Sequence, residues 1–134
     1  KTHLSLAIAY EVIEKGFGVV YRTSQSLLDK LQAQQFSRAP SDAADYQALA
    51  LECNLLVIDD LGAEFSTAFT VAALYNLINA RIIERRPTII STNFDETVLR
   101  ERYGDRILSR LLCTYRPLQF WGEATRMLKR YAHQ

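Results

Sequence analysis

The stretch from Leu55 to Gly62 most strongly constrains how this chain can fold. Its first four residues, Leu55 to Ile58, are all apolar. A strand with one face in water would alternate apolar and polar residues instead. A continuous apolar run is typical of a strand that is buried on both faces, as in a parallel sheet covered by helices. The sequence therefore predicts an α/β fold that contains this strand.

Two carboxylates, Asp59 and Asp60, follow the apolar run and precede the turn residue Gly62. Ligands of open α/β sheets bind just outside the carboxyl ends of strands. Paired acids at such a position are commonly stabilised by a hydrated magnesium ion. The alternative is that both aspartates only cap the next turn, as aspartates often do. The pair alone does not separate these two interpretations.

The first residues of the chain favour the magnesium interpretation. Lys1 and Thr2 open a predicted amphipathic helix that ends near Gly16. The apolar residues that recur at helical spacing in it are Leu4, Ala7, Ile8 and Val12. A P-loop has a strand, the pattern G-x-x-x-x-G-K-[ST] and a helix in this order, and it binds phosphates and Mg²⁺. Since only the last two letters are present, we expect the glycines and their strand upstream of Lys1.

Strands and helices are predicted to alternate along the rest of the chain. Further strands are predicted at residues 18–23, 87–93 and 115–120. Helices are predicted at residues 24–35 (with Ser24 as the N-cap), 42–53 and 67–84, with shorter ones after Asp95 and Gly104. Such alternation predicts a right-handed parallel sheet, and 134 residues correspond to one domain or part of one.

Composition excludes several classes of protein. The formal net charge is +1, so no overall attraction to nucleic acid or membrane is expected. The apolar runs are too short to span a bilayer. Cys53 and Cys113 are far apart and lack metal-type spacing, which predicts buried, reduced thiols in the cytoplasm rather than a disulfide.

Any nucleic-acid surface would therefore be local. The candidate cations are Arg81, Arg85 and Arg86 at a helix end, and Arg22, Lys30 and Arg38 near the loop at residues 36–42. The candidate stacking aromatics are Tyr21, Phe36 and Tyr46. Cations at a helix C-terminus also interact favourably with the helix dipole, so the cluster at Arg85 has a structural explanation as well.

Each requirement of phosphoryl transfer to water has a candidate residue. Lys1 would neutralise the β- and γ-phosphates, while Thr2 and Asp59 would hold Mg²⁺. Either Asp60 or Glu64 would orient or deprotonate the attacking water. These candidates come from different parts of the chain, so the fold has to bring them together.

Asn93 and three arginines complete the set of candidates. Asn93 follows a predicted strand and could bind the γ-phosphate or the water, although Asn is also a common turn residue. Arg106 and Arg110 share one helix face. Such an arginine could complete a neighbouring subunit's site, or both could be solvated or paired with Asp105 and Glu101. We favour the first role for Arg110, and the second or a partly structural role for Arg106. Arg126 would reach the nucleotide of its own subunit or lie on the surface.

With these residues assembled, the chain resembles the AAA+ ATPase domain of the DnaC/DnaI helicase loaders and the closely similar IstB transposition ATPases. The motifs that carry the resemblance are Lys1-Thr2 (end of Walker A) and residues 55–64 (Walker B), 87–93 (sensor 1), 103–111 (arginine-finger box) and 120–126 (sensor 2). The resemblance implies an AAA+ P-loop NTPase fold with three α/β/α layers.

The resemblance also implies roles for individual residues. The residues concerned are Lys1, Thr2 and Arg126 for ATP, Thr2 and Asp59 for Mg²⁺, and Asp60, Glu64, Asn93 and Arg110 for catalysis. Arg110 would act in trans as the arginine finger. Most AAA+ proteins have Glu where this chain has Asp60, and the shorter carboxylate is consistent with a slow, switch-like ATPase.

Three functions remain open at this point. The first is ATP-dependent loading of a DnaB-type replicative helicase onto single-stranded DNA by an open helical oligomer, with ATP hydrolysis stimulated by DNA or assembly. The second is an IstB-like ATPase that regulates a transposase. The third is an adaptor that binds nucleotide without hydrolysing it. In each case we expect residues 1–134 to be the C-terminal ATPase domain of a longer protein.

Overall fold

The computed structural model describes residues 1–36 and 45–120. Strands and helices alternate through most of these residues, as predicted. The elements are α1 (Thr2–Glu14), β1 (Val19–Thr23), α2 (Ser24–Phe36), α3 (Tyr46–Glu52), β2 (Leu55–Leu61), α4 (Ala68–Ile83), β3 (Thr88–Thr92), α5 (Glu96–Tyr103) and α6 (Asp105–Thr114).

The sheet is parallel and has the strand order β1-β2-β3 in the described part of the chain. Strand β2 lies in the middle, and its residues Leu55 to Ile58 are buried, which confirms the prediction from the apolar run. The pairing of β2 with β3 shifts register between Ile58 and Leu61. Because the strands are parallel, β2 and β3 end at the same edge of the sheet.

Helices cover both faces of the sheet. Leu56 and Ile58 belong to a core cluster that includes Leu28 of α2 and Leu74 of α4. Successive side chains of a strand point to opposite faces, so Val57 and Asp59 point the other way. Helix α1 lies on that second face, where Thr2 bonds Asp59. The layers are therefore α/β/α, as predicted.

The helix termini follow the expected local chemistry. Thr67 and Thr70 form a capping box at the start of α4. The side chain of Asp95 accepts a hydrogen bond from the backbone N–H of Val98, as predicted for the cap of α5. Gly104, with φ of +84°, separates α5 from α6, and this backbone conformation favours glycine.

Two predictions about local structure are wrong. Residues 115–120 form no strand, since their apolar residues are largely exposed and Pro117 has no N–H to donate to a neighbouring strand. Ser24 is not the N-cap of α2, because the side chain of Thr23 accepts the hydrogen bond from the backbone N–H of Ser26. The hydroxyl of Ser24 points to Glu64 instead.

Two boundaries differ from the prediction. Helix α3 begins at Tyr46 with Asp45 as its N-cap, while residues 42–44 lie outside the described residues. On α1, the buried residues are Ser5 and Ala9 rather than the predicted apolar stripe. These small side chains allow the helix to approach the sheet closely.

The two cysteines are both free thiols, as predicted. Cys53 is half-buried, but Cys113 is exposed, so the prediction that both are buried is wrong for Cys113. None of the helices within residues 1–36 and 45–120 combines the length and the hydropathy needed to cross a membrane.

Candidate functional site

The first residues of α1 meet the carboxyl end of β2. The hydroxyl of Thr2 donates to Asp59, at 2.9 Å from Oδ2 and 3.2 Å from Oδ1. Ser91, on the neighbouring strand β3, donates its hydroxyl to Oδ1 of the same carboxylate. Asp59 is thus buried beneath the N-terminus of α1, with hydroxyl donors from both sides.

The environment of Asp59 keeps it ionised. Burial by itself would raise the pKa of this carboxyl, but the hydrogen bonds from Ser91 and Thr2 outweigh burial and lower the pKa below its ordinary value. An ionised carboxylate beside a hydroxyl offers the hard oxygen ligands that Mg²⁺ prefers.

These oxygen atoms fit a magnesium ion that is shared with a bound phosphate. Residues 1–36 and 45–120 contain no cluster of three or more His, Cys, Asp or Glu side chains that would enclose a metal. Magnesium commonly keeps several waters and takes one or two protein ligands together with substrate phosphates. Thr2 and Asp59 match that mode of binding.

Lys1 and Asn93 lie beside the same strand ends. The ammonium of Lys1 donates to Oδ1 of Asn93 at 3.0 Å and to the backbone carbonyl of Thr92. The amide of Asn93 donates to Oδ1 of Asp60 at 3.4 Å. A cation, an amide and a carboxylate are thereby connected at the N-terminus of α1, where the helix dipole favours anions.

Asp60 has an unusual backbone conformation. Its φ is +58°, in the left-handed region that residues other than glycine visit at a cost, and such residues concentrate at functional sites. Its N–H donates to Ser91 Oγ at 3.0 Å, and its carbonyl oxygen lies 2.9 Å from Ser24 Oγ. The Asp60 side chain is exposed next to Asn93.

Glu64 is enclosed, in contrast to Asp60. Only 3% of it is exposed. Its Oε2 accepts from Ser24 Oγ at 2.6 Å and from the N–H of Gly62 at 2.9 Å, and its Oε1 accepts from the hydroxyl of Tyr103. Although burial would raise the pKa of this carboxyl, the bonds from Ser24 and Tyr103 lower it. Glu64 therefore stays charged inside the protein.

Arg106 and Arg110 project from α6 onto α4. Both guanidinium carbon atoms lie 4.7 Å from the ring centre of Tyr75, a distance typical of cation–π contacts. Arg110 also donates through Nε to Asn79 Oδ1 at 2.8 Å. Asp105 accepts from Arg100 at 3.0 Å instead of from Arg106. The contact of Arg106 with Tyr75 agrees with the partly structural role expected for it.

The structure thus brings some predicted residues together and separates others. Lys1, Thr2, Asp59, Asp60 and Asn93 form one connected group at the ends of β2 and β3. The contacts of Arg110 are with α4 and α6 instead. Arg126 lies outside the described residues.

Sequence reasoning missed Ser24, Ser91 and Tyr103 as parts of the site. The sequence predicts Ser24 as a helix cap and Ser91 as an ordinary member of a strand. Their positions at the ends of strands were the available signal, because side chains there face the ligand edge of a parallel sheet. Tyr103 is the first residue of the predicted arginine-finger box, but nothing in the sequence indicates the bond between its hydroxyl and Glu64.

Most of the proposed DNA-binding cations have other partners in the structure. Arg81 is fully buried, so its assignment to a DNA surface is wrong. Arg86 donates to the carbonyl of Glu52 at 2.7 Å. Arg22 donates to the hydroxyl of Tyr46 at 2.9 Å, and Lys30 lies 5.3 Å from the centre of that ring. Arg38 lies outside the described residues.

Comparison with known proteins places the chain in a family. The model of the IstB-like ATP binding proteins matches residues 1–132. The chain belongs to this family. The predicted resemblance to the IstB and DnaC proteins is thereby confirmed.

Individual relatives agree with the family assignment. The replicative helicase loader DnaC of Escherichia coli is 26% identical over 113 residues, which cover 83% of this chain and 45% of DnaC. A putative insertion sequence ATP-binding protein of Sinorhizobium fredii is 32% identical over 93 residues, which cover 69% of this chain and 30% of the relative. The chain thus spans less than half the length of these relatives.

Solved structures support the same fold. The crystal structure of the DnaC helicase loader matches 86% of this chain and 68% of that chain, with a TM-score of 0.73 and 22% identity. AMPPCP-bound DnaA from Aquifex aeolicus matches 83% of this chain and 34% of that chain, with a TM-score of 0.69 and 18% identity. The fold is that of the AAA+ P-loop NTPase domains, as predicted.

Proposed function

We propose that this IstB-like protein binds Mg²⁺-ATP at the group formed by Lys1, Thr2, Asp59 and Asn93, and hydrolyses it slowly. The observation that carries the proposal is the hydrogen bond from Thr2 to the ionised Asp59, beside the contact between Lys1 and Asn93. Lys1 would neutralise the β- and γ-phosphates. When bound, the magnesium ion would neutralise the charge that develops on the phosphates.

We assign the positioning of the attacking water to Asp60 rather than to Glu64. The Asp60 carboxylate is exposed beside Asn93, whereas both carboxylate oxygens of Glu64 already accept hydrogen bonds inside the protein. Asn93 would hold the γ-phosphate or the water. Arg110 would complete a neighbouring subunit's site in a helical oligomer, and Arg126 would contact the nucleotide of its own subunit.

We further propose that the ATPase loads a DnaB-type replicative helicase onto single-stranded DNA in the cytoplasm. The similarity to the helicase loader DnaC over most of this chain supports this role. Exposed aromatic rings, Phe36 and Phe65, are available for stacking on bases.

A second candidate is the regulation of a transposase. It is favoured by the 32% identity to a putative insertion sequence ATP-binding protein and by the family description itself. The two candidates share the same ATPase chemistry and differ in the partner. Co-purification of the full-length protein with a replicative helicase or with a transposase distinguishes them.

The ATPase proposal is tested by measuring ATP hydrolysis by the full-length protein with and without single-stranded DNA. The wild type is expected to turn over slowly and to respond to DNA. Arg110→Ala is expected to bind ATP normally but to hydrolyse it at least about tenfold more slowly. Arg100→Ala is the matched control, because within residues 1–36 and 45–120 the ion pair of this exposed arginine is with Asp105 on the surface. Absence of hydrolysis by the wild type under every assembly condition would identify a non-hydrolysing adaptor and reject the proposal.

A further inference from the structure

Glu64 connects two parts of the molecule that are distant in sequence. On one side it is bonded to Gly62, in the turn directly after β2, and to Ser24 at the start of α2. On the other side it accepts a hydrogen bond from the hydroxyl of Tyr103, the last residue of α5. The Nε of Arg102 lies 4.0 Å from the same carboxylate oxygen.

The Ser24 hydroxyl extends this connection toward the water-positioning residue. It lies 2.6 Å from Oε2 of Glu64 and 2.9 Å from the backbone oxygen of Asp60. A change in the backbone of Asp60, which already has a positive φ, would therefore alter the hydrogen bonds of Glu64. The connection runs from the end of β2 through two buried side chains to α5.

Tyr103 lies at the junction between α5 and α6. It directly precedes Gly104, the residue that separates α5 from α6, and its ring packs in the same core cluster as Ile107 and Leu108. Arg106 and Arg110 follow within the next turns of α6 and stack on Tyr75. Tyr103 thus packs at the start of the helix that carries the arginine pair.

The electrostatics of this contact favour a stiff connection. Glu64 is charged and buried, and hydrogen bonds to a buried charged group are stronger than those between neutral groups. Burial, together with the hydrogen bond to Glu64, raises the pKa of Tyr103, so this hydroxyl remains a donor throughout the physiological range. Both residues are buried, so solvent has little access to the hydrogen bond between them.

We propose that Glu64 and Tyr103 are positioning residues that connect the nucleotide site of one subunit to the arginines it presents to the next subunit. The inference rests on the proposed function, in which Asp60 acts in the subunit's own site and Arg110 acts in the neighbour's. In this proposal Glu64 helps to place the arginine that acts in the neighbouring subunit's site, and it does not activate water in its own site.

Mixing of variant subunits tests this assignment. Asp60→Asn subunits have a defective site but an intact arginine, whereas Arg110→Ala subunits have the reverse. An equal mixture of the two restores hydrolysis at the interfaces that combine an intact site with an intact arginine, up to about a quarter of the wild-type rate for random assembly. This mixture is the control for the proposed function itself.

Glu64→Gln and Tyr103→Phe are the test variants. Each is expected to bind ATP as the wild type does, and to hydrolyse it about tenfold or more slowly because the arginines are misplaced. Mixed with Asp60→Asn subunits, each is expected to recover hydrolysis. Mixed with Arg110→Ala subunits, neither is expected to recover, because both members then lack a functional arginine. Tyr10→Phe, an exposed tyrosine of α1, is the matched control and is expected to keep the wild-type rate.

Other outcomes would overturn the proposal in distinguishable ways. Recovery with Arg110→Ala but not with Asp60→Asn would place Glu64 in its own subunit's site. Loss of hydrolysis without recovery in either mixture, together with a lowered melting temperature, would show a purely structural role. If Glu64→Gln does not fold, Tyr103→Phe carries the same test. If the control mixture of Asp60→Asn and Arg110→Ala fails to recover, the trans-acting arginine is rejected and the inference with it.

Discussion

Arg81 should be among the most sensitive positions for stability, although it lies far from the proposed chemistry. Its side chain is 0% exposed, and the described part of the chain provides no carboxylate partner for it. The guanidinium donates to Thr88 Oγ1 (2.8 Å) and to the carbonyl oxygens of Ala50 (3.0 Å), Leu51 (3.1 Å), Cys53 (3.0 Å) and Pro87 (2.7 Å). Arg81 thereby satisfies the C-terminal carbonyls of α3 and fixes the start of β3.

The expected cost of Arg81→Met follows from these contacts. The apolar stem is kept, but several carbonyl groups lose their donor, and each buried unsatisfied group costs about 1–3 kcal/mol. Because neighbouring losses are not additive, we expect a total of about 3–5 kcal/mol. For 134 residues, this corresponds to a fall in melting temperature of roughly 10–18 °C. Arg81→Lys keeps the charge but loses the planar guanidinium group with its several donors. We therefore expect a loss of stability between those of the wild type and Arg81→Met.

Thermal unfolding followed by far-UV circular dichroism measures this effect. Arg100→Ala is the control, because it removes only an exposed ion pair with Asp105, worth less than about 1 kcal/mol. A melting temperature of Arg81→Met within about 3 °C of the wild type would refute the reasoning that the guanidinium stabilises the end of α3.

Three further predictions concern the candidate site. In the folded state the pKa of Glu64 is lower than its ordinary value of 4.5. The stability that Glu64 contributes is therefore fully present above pH 4.5 and is lost as the pH falls through the lowered pKa. Chemical unfolding of Glu64→Gln between about pH 3 and 7 should therefore show a weaker loss of stability in acid than the wild type, and equal slopes would contradict this. Gly62→Ala should melt below Gly16→Ala, although both glycines have positive φ, because a Cβ at Gly62 would overlap the Phe94 ring whereas the space at Gly16 is open. Equal melting temperatures would refute the clash. Asp60→Asn should lower ATP turnover by at least about 100-fold without changing ATP affinity, and unchanged turnover would remove Asp60 from the mechanism.

The sheet and the main site residues were predictable because their signals are local. The unbroken apolar run of β2 required burial on both faces. Asp59 directly follows this run near the carboxyl end of β2, and Asn93 directly follows β3, which places both residues at one edge of the sheet. Parallel strands bring such positions together whatever the intervening sequence. The helix cap at Asp95 likewise depends on only a few neighbouring residues.

The rest depends on contacts between distant parts of the chain. Ser24 looked like a helix cap because that role is local, but its hydroxyl meets Glu64, 40 residues away. Arg81 looked like a surface cation at a helix end, and only the packing of α3 against α4 shows that it is buried. The predicted strand at residues 115–120 failed because alternation alone does not provide a neighbouring strand.

The most direct test of the account is the magnesium dependence of ATP binding by the full-length protein. The affinity for a fluorescent ATP analogue is measured with and without Mg²⁺ for the wild type, Asp59→Asn and the exposed control Asp29→Asn. Because Thr2 and Asp59 are proposed to hold the ion, Mg²⁺ is expected to tighten binding by the wild type and the control. For Asp59→Asn, the increase in affinity on adding Mg²⁺ is expected to be smaller by about tenfold or more. The same magnesium dependence in Asp59→Asn as in the wild type would contradict the assignment of the site.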